Sequence, residues 1–558
     1  MVDVEPRLED VEKIRKELEV KLGNIARRIE YVSGAGLIVE VPKDSIRDAV
    51  KVVHDELDAY LRVIAGVDER LIKGVFSSYY VFGLDNIGLN IIITTYMDPE
   101  NPSIYTIADI APSADWYELE MYDLLGIRVK NRQLYRFVLP EDWPEGLYPL
   151  RKDVAHNIRP PPTPAGKGAI TGPRIPVGPY HPALHEPEYF ELYVEGERVV
   201  DVRYNGFHVH RGIEKLGESR FTYQQVPFLA ERICGICGFV HSVCYTQAVE
   251  NAAKIEVPER AEFIRSIILE VERLHSHLLW VGVACHLLGY DAGFMHAWRI
   301  REKTMVLAEL LTGSRKTYGI NLIGGVRKDI NRDKIDTVLK TIKWVEDEFR
   351  KLVEVITSVP QVVKRASGTG ILPKHEARRY SVVGPVARAS GLNRDVRKDY
   401  PYAAYKHVSF KVPVYTEGDN LARLLVRVDE IFESINIIRQ LLDQLPSGPI
   451  MAEDIEIPKG KIGVSSVEAP RGEDIHLVIT GKGRPYRWRV RAPTYQNIPA
   501  LKVMLKDAPL ADAPLTIASI DPCFSCTDRV IVVDVSTRKR KIISLRKLVK
   551  LEGNGCMI

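Results

Sequence analysis

The sequence lacks the marks of a membrane-spanning, secreted or nucleic-acid-binding protein. Among its 558 residues there is no run of 18 apolar side chains; the best candidate, Leu278 to Gly289, contains His286 and is too short to span a bilayer. The opening stretch MVDVEPRLEDVEKIRKELEV is charged throughout, so no secretory signal peptide is expected. No charge sign dominates: 77 Lys and Arg against 74 Asp and Glu leave +3, too balanced to point to nucleic acid. Cysteine is scarce and odd in number, at seven. Without a secretory route, such cysteines read as metal ligands, reactive thiols or core residues rather than disulfide partners. Glutamine is scarce beside many Lys, Arg and Glu, a bias associated with hot environments. What remains, 45% hydrophobic and 27% charged residues, is the balance of a soluble globular chain of about three or four domains.

The pattern predicts an α+β multidomain protein: a small N-terminal α/β domain, then a mainly α-helical bundle domain with peripheral β elements. Residues 8–30 repeat apolar side chains at helical spacing (Leu8, Val11, Ile14, Leu18, Leu22). GLIVEV, VFSSYYVFG and GLNIIITTYM read as strands, the last two joined tightly at Asn86 and Gly88. SADWYELEMYDLLG reads as a helix capped by Ser113 and ended by Gly126. This domain is expected over 1–153. Nine prolines between Ile158 and Pro187 predict a semi-rigid linker or extended strap over 154–187. Long amphipathic helices follow from Ala261, with short β-like pieces (IHLVITG, YRWRVRA) returning after Gln444.

Chemistry is concentrated in two Cys-x-x-Cys pairs, Cys234/Cys237 in ERICGICGFVH and Cys523/Cys526 in DPCFSC. A two-residue gap lets both sulfurs of a pair face one point, and four thiolates suit one soft metal. A structural zinc site is the commoner outcome for such pairs, but zinc ribbons close their second pair within about 15–20 residues. Here about 285 residues and a predicted bundle intervene. Gly235 and Gly238 would let backbone approach the metal. Cys237 falls near a helix N-terminus, which favours a thiolate. His241, one turn later on the same face, is a candidate donor to sulfur, with a core histidine as the plain alternative.

Arg232-Ile-Cys234-Gly-Ile-Cys237 with His241, and Asp521-Pro-Cys523-x-x-Cys526, resemble the two signatures of nickel–iron hydrogenase large subunits. HVHRGIEKLGE and GPYHPALHEP resemble the 49-kDa-type subunit of respiratory complex I, and Trp116 to Asp153 resembles its 30-kDa-type subunit. Such a fusion is typical of the energy-converting, membrane-associated group. The resemblance implies a hydrogenase domain over 188–529, with Cys234, Cys237, Cys523 and Cys526 holding nickel. It further implies that Cys237 and Cys526 bridge to an iron carrying CO and CN. Glu214 matches the proton-relay position, and a dry site would raise its pKa; a salt bridge to Lys215 or Arg211 is the ordinary alternative. Arg471 matches the arginine over the open metal position, Asp521 would orient it, and Pro493-Thr494 match the segment that binds the cyanides. Cys244 and Cys285 match neither motif and read as core.

The resemblance also implies partners. Electrons would pass through an iron–sulfur small subunit, since this chain has no spare cysteine cluster of its own. The iron–sulfur cluster is thus expected in that partner, and the chain on the cytoplasmic side of a membrane complex with ion-translocating subunits. A maturation protease would cut between Arg529 and Val530, removing the tail 530–558. Thr527-Asp528-Arg529 stand where related enzymes have a metal-binding histidine, so no such extra metal is expected. His181 and His185 persist from the quinone-binding relatives, whose second quinone contact is displaced by the nickel cysteines. A metal-free quinone subunit and a zinc-stabilised scaffold are the competing readings.

Overall fold

The computed structural model describes residues 6–139, 143–158, 174–177, 189–207, 210–523, 532–533 and 540–541. The first helix, Leu8–Leu22, buries Val11, Leu18 and Leu22 and stops before Gly23. The helical pattern therefore ends earlier than residue 30, because Arg28–Val32 is already a strand. Five strands follow as one mixed sheet: β1 (Arg28–Val32), β2 (Gly36–Glu40), β3 (Tyr60–Glu69), β4 (Val75–Leu84) and β5 (Leu89–Met97), in the order β1-β2-β5-β4-β3. β4 and β5 are joined by the expected tight turn, in which Gly88 takes φ 65°. The helix Ala114–Leu125 packs on β3. Its Gly126 stop is left-handed as expected, but Ser113 makes no side-chain cap hydrogen bond. Its backbone is already helical there, at φ −60° and ψ −19°, rather than in the extended form a capping side chain needs.

Within the proline-rich stretch, Arg174–Val177 is a strand paired with Tyr189–Glu195, at the edge of a three-stranded sheet where Pro176 is tolerated. The bundle is built from Gly238–Ala253, Glu259–Leu287, Asp291–Thr312, Arg332–Ser358 and Asn420–Asp443. Its centre is apolar, yet it also holds a desolvated ionic network in which Arg388 meets Glu430 and Glu468, and Arg397 meets Glu270 and Asp395. A three-stranded antiparallel sheet, Ile462–Ala469, Gly472–Thr480 and Pro485–Arg491, leans on the Gly238–Ala253 helix.

The last of these strands joins the two halves. In RWRVR the side chains alternate: Trp488 faces the bundle, its ring 5.3 Å from that of Tyr245, while Arg487, Arg489 and Arg491 face the N-terminal domain. Their Nε–H groups donate to the carbonyls of Gly66 (3.0 Å), Ile64 (3.2 Å) and Arg62 (2.8 Å). Those are alternate residues of β3, the edge strand of the five-stranded sheet, whose open edge is thereby covered. Each guanidinium then ends on carboxylates: Arg491 and Arg62 share Glu473, and the other two reach Glu120, Glu214 and Glu218.

Burial alone would raise the Glu473 carboxyl, but Arg62 and Arg491 hold it down at about 2. A depressed carboxyl stabilises the fold fully above its unfolded value and loses that contribution as pH falls through the folded one. Glu473→Gln is expected to lower stability by about 3–5 kcal/mol, because two buried guanidinium groups lose their counter-charge. The wild-type guanidinium midpoint should fall between pH ~4.5 and ~2, and more shallowly in the variant. Identical acid profiles would show that the arginine pair does not depend on Glu473.

Candidate metal centre

Three of the four motif sulfurs converge. Cys234 Sγ lies 2.9 Å from Cys523 Sγ and 3.0 Å from Cys237 Sγ, beyond any disulfide bond and all but excluded from solvent. Cys237 is the residue that starts the sixteen-residue helix Gly238–Ala253. Cys234 Sγ accepts the backbone N–H of Ile236 (3.3 Å) and of Cys237 (3.2 Å), so amide dipoles converge on it. The two glycines differ in what surrounds them. A Cβ at Gly235 would meet nothing within 4 Å, whereas one at Gly238 would strike the Tyr318 ring and the Glu231 carbonyl. Gly238 therefore serves close packing of Tyr318, whose hydroxyl donates to the Cys234 carbonyl at 2.9 Å.

The far wall is anchored by the bundle. Trp280 Nε1–H donates to the Ala518 carbonyl (2.7 Å), Arg427 to the Ser519 carbonyl (3.0 Å) and Arg423 to the Ser519 hydroxyl (2.9 Å). This grip holds Asp521 at φ 54°, a left-handed backbone that a non-glycine residue adopts only when its surroundings impose it. Arg471 sits at the tip of the hairpin between Ile462–Ala469 and Gly472–Thr480. It donates to the Asp521 carbonyl (2.6 Å), to Asp521 Oδ1 (2.8 Å) and to Ser276 Oγ (3.0 Å). Asp521 thus fixes the Arg471 guanidinium through its carbonyl and its carboxylate. Burial opposes the guanidinium charge, but Asp521 and the three thiols keep it firmly protonated.

Thr494, directly after Pro493, accepts the Cys523 N–H at 3.0 Å through its hydroxyl oxygen, leaving the hydroxyl proton for another acceptor. His241 is fully buried between Asp474, 2.9 Å from its Nδ1, and Cys237. Burial would neutralise it, but Asp474 and Cys237 push its pKa well above the ordinary histidine value, which favours the charged ring. His476 behaves oppositely. Burial lowers it, and Trp488 Nε1–H donates to its Nδ1 at 3.2 Å, which places its own proton on Nε2 toward Asp474. His241, Asp474 and His476 lie close enough to hold an ion together, but a ring nitrogen that must carry this proton is not a ligand.

Sequence reasoning missed Asp474, His476, Ser276 and Glu272. The first two were signalled by their alternation in the strand after the EAPRG turn, which brings both to one face. Glu272 accepts the N–H groups of Phe239 (3.1 Å) and Val240 (3.0 Å) at the start of the Cys237 helix. Burial lifts its carboxyl to about 7.

Glu214 departs from expectation. Its partners are neither Lys215 nor Arg211 but Arg487 (2.6 Å), Arg489 (3.2 Å) and the Val490 N–H (3.0 Å). Burial would raise its carboxyl, yet the two arginines bring it down to about 2, so the raised pKa read from a dry site is overturned. Gly217 permits this arrangement, since a Cβ there would meet the Trp488 ring at 2.6 Å. Cys244 and Cys285 are buried in the core, as expected. Cys526, His181, His185, Cys556 and the cut between Arg529 and Val530 lie outside the described residues; of the tail, only Val532–Val533 paired with Arg540–Lys541 is described.

The chain matches three known families. They are "Nickel-dependent hydrogenase" over residues 211–291, "Respiratory-chain NADH dehydrogenase, 30 Kd subunit" over 39–159, and the corresponding 49 Kd subunit over 288–461 and 450–529. It is 43% identical over 525 residues to formate hydrogenlyase subunit 5 of Escherichia coli (strain K12), covering 92% of each chain. It is 39% identical to the membrane-bound hydrogenase subunit alpha of Pyrococcus furiosus, covering 68% of this chain and 92% of that one. Among solved structures, a chain of the membrane-bound sulfane sulfur reductase, an archaeal respiratory membrane complex, is similar with a TM-score of 0.61 at 35% identity. That match covers 64% of this chain and 98% of the other.

Three buried sulfurs, a cationic histidine and a fixed guanidinium make a donor set suited to a soft metal carrying excess negative charge. Cys234→Ala removes the sulfur central to that set. Nickel bound to the purified protein, measured by elemental analysis, should fall at least about tenfold with an unchanged far-ultraviolet circular dichroism spectrum. Undiminished nickel would remove Cys234 from the ligand set.

Proposed function

Since the chain belongs to the family of large subunits of membrane-bound, energy-converting nickel–iron hydrogenases, we propose that Cys234, Cys237, Cys523 and Cys526 hold its nickel–iron centre. The protein is an oxidoreductase acting on H₂. The convergence of three buried thiols under the Arg471 guanidinium carries this reading. A metal-free quinone subunit has no use for that convergence. When bound, the centre supplies reversible heterolytic cleavage of H₂, with CO and CN on its iron as in the family.

The rest is done by the protein. Arg471 is held by three hydrogen bonds and cannot lose its proton, so it presents a fixed positive charge over the sulfurs without itself titrating. His241 keeps a proton on each ring nitrogen, one toward Asp474 and one toward Cys237, which steadies the thiolate charge. Thr494 fixes the Cys523 backbone and offers its hydroxyl proton to a small acceptor such as cyanide. Glu214 Oε accepts the proton that leaves the buried site; its ground state is the carboxylate, ready to receive.

Electrons must come from outside. Cys244 and Cys285 are dispersed in the apolar core and form no cluster with each other, so an iron–sulfur partner subunit is the donor in this proposal. Among the described residues no helix is long and apolar enough to cross a membrane. Membrane attachment therefore runs through partner subunits of the complex, on its cytoplasmic side, and the proton current at the metal couples to their ion translocation. A maturation protease acting between Arg529 and Val530 completes the proposal.

Glu214→Gln tests the proton step. Nickel and iron content should stay at the wild-type level, while H₂ evolution and H/D exchange fall together by about 10²-fold or more. Undiminished exchange would move the relay away from Glu214. Wild-type complex without nickel would instead overturn the hydrogenase reading itself.

A further inference from the structure

Glu214 is not alone on its arginines. Arg489 gives one nitrogen, Nη1, to two carboxylates: Glu120 at 2.5 Å and Glu214 at 3.2 Å. Its second terminal nitrogen also reaches Glu120, at 2.8 Å, and Tyr495 donates its hydroxyl to the same carboxylate at 2.8 Å. Glu120 belongs to the helix Ala114–Leu125 of the N-terminal domain, whereas Glu214 and Arg489 belong to the hydrogenase domain. A cavity of about 130 Å³ lies at this junction, lined by Glu120, Glu214, Arg489, Tyr495, Arg211 and His210. At ~30 Å³ of liquid volume per molecule it has room for a few waters, and its lining supplies their partners.

We propose that Glu120 is a proton-relay residue of the same reaction, holding a proton at the junction of the two domains and passing it to Glu214 beside their shared arginine. The inference rests on the hydrogenase reading above. In the direction of H₂ formation, the O–H bond of the Glu120 carboxyl breaks and one forms on the Glu214 carboxylate, with no electron moved. Glu120 then regains its proton from water in the cavity. H₂ oxidation runs the same step backwards. The two oxygens can be no farther apart than their two bonds to Nη1 laid end to end, a gap one water bridges.

The surroundings set opposite ground states for the pair. Glu214 has a second guanidinium, Arg487, and a backbone N–H, and stays ionised. Glu120 has only Arg489 and the Tyr495 hydroxyl to offset its burial, with Glu214 repelling its charge, and its carboxyl is raised. Two carboxyls pushed apart beside one fixed cation form a donor and an acceptor. The charged and titratable groups facing Glu120 are Arg489 on its strand, Glu214 on its helix, and Tyr495 and Tyr117, whose buried hydroxyls stay protonated; His210 and Arg211 line the same cavity, Arg211 donating to the Ile233 carbonyl at 2.9 Å. Lys215 lines the same cavity but is turned to the Arg151 carbonyl at 2.6 Å. The nearby Glu218 is taken by Arg487 and Lys152, so it is no alternative donor.

The test uses the whole complex. In Glu120→Gln, nickel content should match wild type while H₂ evolution falls by about 10²-fold. The infrared C=O band of a buried protonated carboxyl should vanish as well. A plain interdomain ion pair would lower stability but would leave the rate per nickel and that band alone, and either result overturns the proposal. Should Glu120→Gln fail to assemble, Tyr495→Phe reads the same group. Losing the hydroxyl that stabilises the Glu120 carboxylate should shift the titration of the band, and the pH limb of turnover with it, to higher pH; an unmoved band overturns the inference. The band titrates whether or not nickel is present, so a failure of the hydrogenase reading is told apart from a failure of this one.

Discussion

The structure depends on one strand whose two faces answer to different domains. Pro485–Arg491 places Trp488 against the helical bundle and three arginines against the edge of the N-terminal sheet. Three buried guanidinium groups are costly unless every charge and N–H is met. Here the Nε–H groups are met by β3 carbonyls and the terminal nitrogens by carboxylates drawn from both domains. The junction is therefore specific in register: a two-residue slip along β3 would keep carbonyls under the arginines but would separate Arg489 from Glu120 and Arg62 from Glu473. A hydrophobic junction would tolerate such a slip more readily.

That junction also sets the geometry around the three sulfurs. The strand pairs with Gly472–Thr480, which carries Asp474 and His476 on one face and begins just after Arg471. At its other end it leads into Pro493 and Thr494. One small sheet thus delivers the guanidinium above the sulfurs, the anion that charges His241, and the hydroxyl beneath Cys523. The opposing wall is fixed independently, by Trp280, Arg423 and Arg427 of two bundle helices gripping residues 518–519. Arg471 bridges the walls through Asp521, whose left-handed backbone persists because both sides hold it.

Much of this could be read from the residues and some could not. The spacing of Cys234 and Cys237 gave their shared point, and spacing on a helix gave His241 its place beside Cys237, because both follow from local geometry; the approach of Cys523 across 289 residues does not. The long helices and the β4–β5 turn were legible for the same reason. Tyr60–Glu69 was not read as a strand although it is one of the longest, since it is buried on both faces and shows no alternation. RWRVR was read only as β-like, because what three alternate arginines bind is decided by a strand more than 400 residues away. The direction of the Glu214 shift failed on the same point: burial is visible in a motif, but the cations that offset it are not.

The electrostatic plan explains why a complex I-like N-terminal domain is useful in the same chain. Most carboxyls at the junction are ionised, and the groups that balance them are arginines, which cannot titrate near neutral pH. Protons must nonetheless cross this region once per electron. Fixed cations alone would hold every carboxylate ionised and leave nothing to carry a proton. A carrier needs a site where burial and the fixed charges nearly cancel. The edge of a second domain supplies one: burial of the helix Ala114–Leu125 desolvates Glu120, while the strand Pro485–Arg491 contributes a single shared guanidinium. The domain junction is then the place where the charge balance can be poised between two protonation states, and covalent fusion keeps that balance from depending on assembly.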